Sequence, residues 1–151
     1  MNKRKAAIAS MGLLTGALLL SGCLSEQGKG TYDLYLIPEG YEGNIRVTYN
    51  VNGAPGLAKE GKFDVIPVDG KGTAETSNPM FDYGEVIDRY YYVDERGNRA
   101  EIPPECVHVK GTGGSSDARR ELHYTDIEIT RSSCGDEFRA WGSQPDRKSD
   151  R

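Results

Sequence analysis

Histidine and cysteine are scarce in this chain: 151 residues hold two histidines, His108 and His123, and three cysteines. No Cys-x-x-Cys pair and no zinc-type spacing of Cys and His occurs, which argues against a metal set. The Gly-x-Ser-x-Gly elbow, the His-Glu-x-x-His helix, the phosphate-binding loop and the dinucleotide glycine fingerprint are missing as well, so no cofactor is implied. Basic charge is in deficit, 19 Lys and Arg against 23 Asp and Glu. Three of the basic residues, Lys3, Arg4 and Lys5, stand at the N-terminus, leaving 16 against 23 in the remainder. A domain this acidic repels a phosphate backbone, so nucleic acid is not an expected partner. Beyond residue 20 no apolar run approaches the roughly 20 residues a spanning helix needs.

What the N-terminus does contain is specific. Lys3-Arg4-Lys5 is followed by an apolar run over 6–20, interrupted only by Ser10, Gly12, Thr15 and Gly16. At 15 residues the run is short for a permanent span and has the proportions of a secretory signal. Leu20-Ser21-Gly22-Cys23 resembles the lipobox of bacterial lipoproteins, in which the peptide before the Cys is removed and the Cys carries acyl chains such as palmitate. The resemblance implies a signal peptide over 1–22 and lipidation of Cys23, with the membrane as first partner. Two acyl chains anchor stably where one binds reversibly, at about 0.8 kcal/mol per buried methylene. Leu24 is not the Asp that retains such proteins at the inner membrane, which in a Gram-negative host implies the outer membrane.

With Cys23 assigned to lipid, Cys106 and Cys134 remain in a compartment that permits disulfides. Their bond would close a loop of 29 residues, worth about 3.5 kcal/mol in the chain-entropy treatment. Two free thiols, or a site shared with His108 and His123, are the alternatives.

The rest of the chain alternates with a period of two. A polar tether over 23–30 precedes Tyr32-Asp33-Leu34-Tyr35-Leu36-Ile37, where residues 32, 34 and 36 share a face. Ile45, Val47 and Tyr49 alternate with Arg46, Thr48 and Asn50. Residues 63–68 and 72–76 flank Asp69-Gly70, which predicts a hairpin. Residues 87–93 form a β-rich run with Tyr90-Tyr91-Tyr92, turned back by Glu95-Arg96-Gly97-Asn98 towards 99–102. Val107 and Val109, then Leu122 and Tyr124, then Ile127 and Ile129 continue the pattern, which puts His108 and His123 on solvent faces. A last short strand is expected over 138–141, and 142–151 is a polar, disordered tail. Seven or eight short strands over 31–141 make the expected fold all-β, a small antiparallel β-sandwich, with a small β-barrel as the alternative.

Leu36-Ile37-Pro38-Glu39-Gly40-Tyr41-Glu42-Gly43, with Ile45 to Tyr49, Asn52-Gly53-Ala54-Pro55 and the tyrosine run, resembles an uncharacterised family of bacterial lipoprotein domains with a Leu-Ile-Pro-x-Gly-Tyr-x-Gly signature. The likeness spans about 32–98 and implies a compact sandwich of transthyretin-like type. It carries no assigned activity. The motif also has a local reading: Pro38 ends a strand, Gly40 and Gly43 supply positive φ, and Tyr41 packs or hydrogen-bonds across the corner.

Function follows by elimination. Asp82 with Glu85, or Asp94 with Glu95, are carboxylates in turns, where solvation is the default. On a strand, residues 90 and 92 share one face and Tyr91 the other, so at least one ring turns outward. Exposed tyrosines serve as platforms for an envelope protein or a glycan, and Arg89 stands beside them. Arg89, Tyr90, Tyr91 and Tyr92 are therefore the candidate partner-binding residues. The expectation is a non-enzymatic, membrane-anchored envelope protein facing the periplasm or the cell exterior, against the alternative of a small periplasmic hydrolase.

Overall fold

The computed structural model describes residues 30–80, 85–117 and 120–143. The signal peptide, Cys23, most of the tether and residues 144–151 of the expected tail lie outside the described residues. Nine strands occur among them: β1 (Asp33–Pro38), β2 (Gly43–Tyr49), β3 (Ala58–Glu60), β4 (Phe63–Pro67), β5 (Thr73–Glu75), β6 (Arg89–Val93), β7 (Arg99–Glu101), β8 (Val107–Asp117) and β9 (Arg120–Ile129). A one-turn 3-10 helix, Pro104–Cys106, precedes β8, and a short helix α1 (Asp136–Trp141) follows β9.

The strands form two separate sheets, a five-stranded one in the order β3-β4-β1-β6-β7 and a four-stranded one in the order β5-β2-β9-β8. The protein is thus mostly β and not closed into a barrel. The expected antiparallel arrangement is corrected: both sheets are mixed. β1 has parallel neighbours on both sides, β4 and β6, and β2 pairs in parallel with β5. Parallel neighbours need a crossover. Here the crossover is a strand of the other sheet, since the chain passes from β1 through β2 to β3 and β4, then through β5 to β6.

That routing also corrects the expected hairpin over 63–76. β4 and β5 belong to different sheets, and β5 lies against β2 at Arg46, Val47 and Thr48. The turn residues between them act differently from a two-residue hairpin. Asp69 folds a tight loop in which its carboxylate accepts from the amides of Lys71 and Thr73 at 2.9 and 2.8 Å and from the Thr73 hydroxyl at 2.8 Å. Gly72 in that loop has φ +78° and presses against the Tyr41 hydroxyl and the Asn44 carbonyl, so a β-carbon there would overlap both. The loop thereby hands the chain across to the second sheet.

The corner carrying Pro38 to Gly43 is built as its residues require. The Tyr41 amide donates to the Pro38 carbonyl at 3.1 Å, and Gly40 takes φ +84°, as a type II turn demands of its third residue. The Tyr41 hydroxyl donates to the Asn44 carbonyl. Glu42 next to it accepts from the Thr130 hydroxyl at 2.7 Å and the Arg131 amide at 3.1 Å, which joins this corner to the end of β9.

One apolar cluster receives side chains from both sheets: Tyr35, Ile37, Ile66 and Tyr90 from the first, and Ile45, Val47, Ile127 and Ile129 from the second. Full burial of each such side chain contributes about 1.5–3 kcal/mol before conformational entropy. Residues 138–141 are helical, not a strand, a third correction. Only Phe138 of α1 is buried, and Asp136 and Glu137 occupy the first turn, where acidic side chains favour a helix N-terminus. Cys106 and Cys134 are joined in a disulfide, which ties the 3-10 turn to the segment leading into α1.

Candidate functional site

Strand register divides the tyrosine run. Tyr90 pairs with Tyr35 of β1, Tyr91 with Leu36 and Tyr92 with Ile37. Tyr35 and Ile37 point to the core, so Tyr90 and Tyr92 point there with them. Tyr90 is 8% exposed and stacks on Tyr35, ring centroids 4.8 Å apart. Tyr92 is half-buried; its hydroxyl donates to the Tyr41 carbonyl at 3.1 Å and the Arg131 guanidinium lies 5.6 Å from its ring centre. Arg89, Tyr91 and Val93 project from the opposite face. Of the four candidate partner-binding residues, the structure brings Arg89 and Tyr91 together on the face turned away from the core and places Tyr90 and Tyr92 elsewhere.

That face is apolar along its middle. Leu34, Leu36 and Pro38 from β1 share it with Val65 and Pro67 from β4, as the pairing Leu34 with Val65 and Leu36 with Pro67 requires. β1 is therefore apolar on both sides, the pattern of a strand covered on both faces. Arg89 closes one end of the face, its guanidinium 4.9 Å above the Phe63 ring, and Lys62 and Tyr32 pack against the same ring. At the other end the strand termini open into a broad depression lined by Leu36, Pro38, Pro67 and Val93, with Glu39 and Arg96 at its rim.

Between the sheets lies a cleft of about 310 Å³. Asp33 stands level with Asp64 on β4, and Asp88, one residue before β6, falls beside Asp33. Three carboxylates thus form a row across adjacent strands at the floor of the cleft. Asp88 accepts from the Asp33 amide at 3.1 Å, the Tyr49 hydroxyl donates to Asp33 at 3.3 Å, and Lys59 pairs with Asp64 at 2.7 Å. The second oxygen of Asp64 is buried and has no hydrogen-bond partner among the described residues. Burial, followed by the neighbouring tyrosines and carboxylates, pushes the Tyr35 hydroxyl well above the ordinary phenol range, and burial raises Tyr49 and Tyr90 likewise. These hydroxyls act as hydrogen-bond donors, not as bases. Leu57, Met80, Val86 and Val109 supply apolar wall.

Sequence reasoning missed this row. The signal available was an Asp two residues before a core residue in three runs, at 33, 64 and 88. Without the parallel register nothing brings the three together.

Neither histidine lines the cleft. His108 is half-buried, its Nδ1 2.9 Å from the Arg139 carbonyl and its ring edge-on to Phe138. This ring is engaged with α1, which corrects its expected solvent-facing position. His123, level with Tyr49, is on the core side of its sheet and not on the expected solvent face; it is half-buried, with Glu121 at 3.6 Å. Asp94 and Glu95 sit in the turn after β6, where the Asp94 carboxylate accepts from the amides of Arg96 and Asn98 and from the Asn98 side chain. Glu85 is exposed, and Asp82 and Cys23 lie outside the described residues. Among the described residues no group of three His, Cys, Asp or Glu side chains is placed to hold a metal ion, and no helix is long and apolar enough to cross a membrane.

No curated protein matches the chain. A crystal structure of a Bacillus anthracis protein described as "Putative Lipoprotein" is similar, with 39% sequence identity and a TM-score of 0.75 over 81% of this chain and 86% of that one. A family model with the description "Family of unknown function" matches residues 29–138. With most of its length covered by that match, the chain belongs to the family of unknown function DUF6843.

Proposed function

We propose that the mature protein is a lipid-anchored envelope protein, acylated on Cys23, whose β domain binds a protein partner and does not catalyse. The anchor is supported by the basic leader, Leu20-Ser21-Gly22-Cys23, and by the similar Bacillus anthracis protein's description. In a Gram-negative host Leu24 would send it to the outer membrane. We take the two sheets as a sandwich of transthyretin-like type. A tether of a few residues holds the domain beside the membrane and raises the effective concentration of partners there.

The observation that carries the binding reading is the pair Arg89 and Tyr91 on the face of the first sheet that the shared core does not use. Aromatic and Arg anchors concentrate interface energy, and here they stand among Leu34, Leu36 and Val65. The non-catalytic part is supported by the histidines: one is engaged with the backbone of α1, and neither lines the cleft.

The test is co-purification from envelopes after chemical cross-linking, using the full chain. Tyr91→Ala should cut recovery of the cross-linked partner about thirtyfold, the effect of an anchor worth about 2 kcal/mol. Its thermal midpoint should stay near that of the parent. Replacing His108 and His123 together should leave recovery intact. Loss of the deletion-strain phenotype's rescue in a folded double-His variant would favour the hydrolase instead.

A further inference from the structure

Side chains of the two edge strands of the first sheet meet. β3 and β7 stand at opposite ends of the order β3-β4-β1-β6-β7, about 19 Å apart in a flat sheet at roughly 4.8 Å per strand. Yet the Arg99 guanidinium donates through Nη1 to both carboxylate oxygens of Glu60 at 2.9 Å. Arg99 is level with Val93, and Glu60 with Phe63, so both side chains leave the sheet on the face turned away from the core. The pair therefore spans that face. Sheets twist and coil, and in this one the side chains of the two edges come within reach of each other across the outer face.

Burial points the same way independently. Leu34 is 4% exposed and Phe63 8%, yet neither belongs to the cluster shared by the two sheets. Something on the outer side covers them, and the side chains that span that face, with Arg89 laid over Phe63, supply the cover. The result is a small apolar patch on the outer face, buried at Leu34 and Phe63 and half-buried at Leu36, Val65 and Tyr91.

We propose that Glu60 and Arg99 form a strap that keeps this patch covered, and that releasing it uncovers Leu34, Leu36, Val65 and Tyr91. The inference rests on the binding reading above, because the uncovered face is the one that carries Tyr91 and Arg89. The strap is built to be released. Its side chains are 35% and 51% exposed, and an ion pair in that setting is weak and screened by salt. β3 and β7 are three residues each and each is paired on one side only, so few ladder bonds resist their opening.

Hydrogen exchange on the full chain, with no partner present, tests the strap. Glu60→Gln should speed exchange of the amides over 58–60 and 99–101 about two- to fivefold, the range an exposed ion pair can supply. Salt at 1 M should do the same to the parent and add nothing in the variant. The charge-reversed pair Glu60→Arg with Arg99→Glu should restore the parental rates. Arg46→Gln, which breaks the comparable pair with Asp126 on the second sheet, should leave both segments unchanged. Unaltered exchange in Glu60→Gln, or equal acceleration by Arg46→Gln, would overturn the strap. If Glu60→Gln speeds exchange while Tyr91→Ala leaves partner recovery intact, the strap stands and the binding reading falls.

Discussion

Asp69 and Asp94 do the same job in two loops. Each carboxylate accepts from the amides two and four residues onward and from the side chain of the latter residue, Thr73 or Asn98. Each is held below the ordinary carboxylate range, Asp69 chiefly by the Thr73 amide and Asp94 chiefly by the Asn98 side chain. A carboxyl depressed in the folded state stabilises the fold above its unfolded value of about 3.9, and that contribution is lost as pH falls through the folded value. Asp69→Asn should therefore melt below the parent at neutral pH, with the gap closing as pH drops beneath about 4. Thermal unfolding from pH 7 to pH 2 measures it, and a gap that does not change with pH would refute the assignment. At this scale the sequence was partly legible. The Gly40 turn and the hydrogen-bonding role of Tyr41 follow from local residue chemistry. The convergence of Asp33, Asp64 and Asp88 does not, because it depends on which strands become neighbours.

Among elements, β1, β2 and β6 are legible because their side chains alternate or run apolar over five or more residues. The 11-residue β8 is legible only at Val107 and Val109, because its second half, Gly111 to Ser116, carries no apolar side chain, and β9 is legible only in pieces. α1 is not, since six residues with one buried side chain show no 3.6-residue period. Asp69-Gly70 misled for another reason: a turn signal says that the chain reverses locally, not that the strands on either side pair with each other. Among the described residues α1 is held chiefly by Phe138, the disulfide, the His108 contact and the Gly135 amide, which donates to the Glu105 carbonyl at 2.9 Å. Replacing Cys106 and Cys134 with Ser should cost about 3 kcal/mol in denaturant unfolding. It should also raise hydrogen exchange over 130–141 before any other segment. Uniform loss of protection across both sheets would show that the bond supports the whole core and not the α1 end.

For the molecule as a whole, strand content was readable from the period of two, whereas parallel pairing was not. Parallel order here arises because each crossover is a strand of the opposite sheet, and no local pattern encodes that exchange. The proposed anchor belongs to this scale, because it would determine where the domain works. The full chain should incorporate labelled fatty acid and partition into detergent, and Cys23→Ala should do neither. Equal labelling of the two proteins would remove the lipid from the account.

We propose that the domain engages a partner through the outer face of the first sheet. A photoreactive residue placed at Tyr91 in living cells tests it most directly, with Tyr124 as the matched control. Tyr124 pairs with Thr48 on the outer side of the second sheet and lies under Arg46, 4.3 Å from its ring centre, so the two positions share residue type and a nearby guanidinium. Position 91 should give a discrete cross-linked species and position 124 none. The same species from both positions, or one from 124 alone, would contradict it.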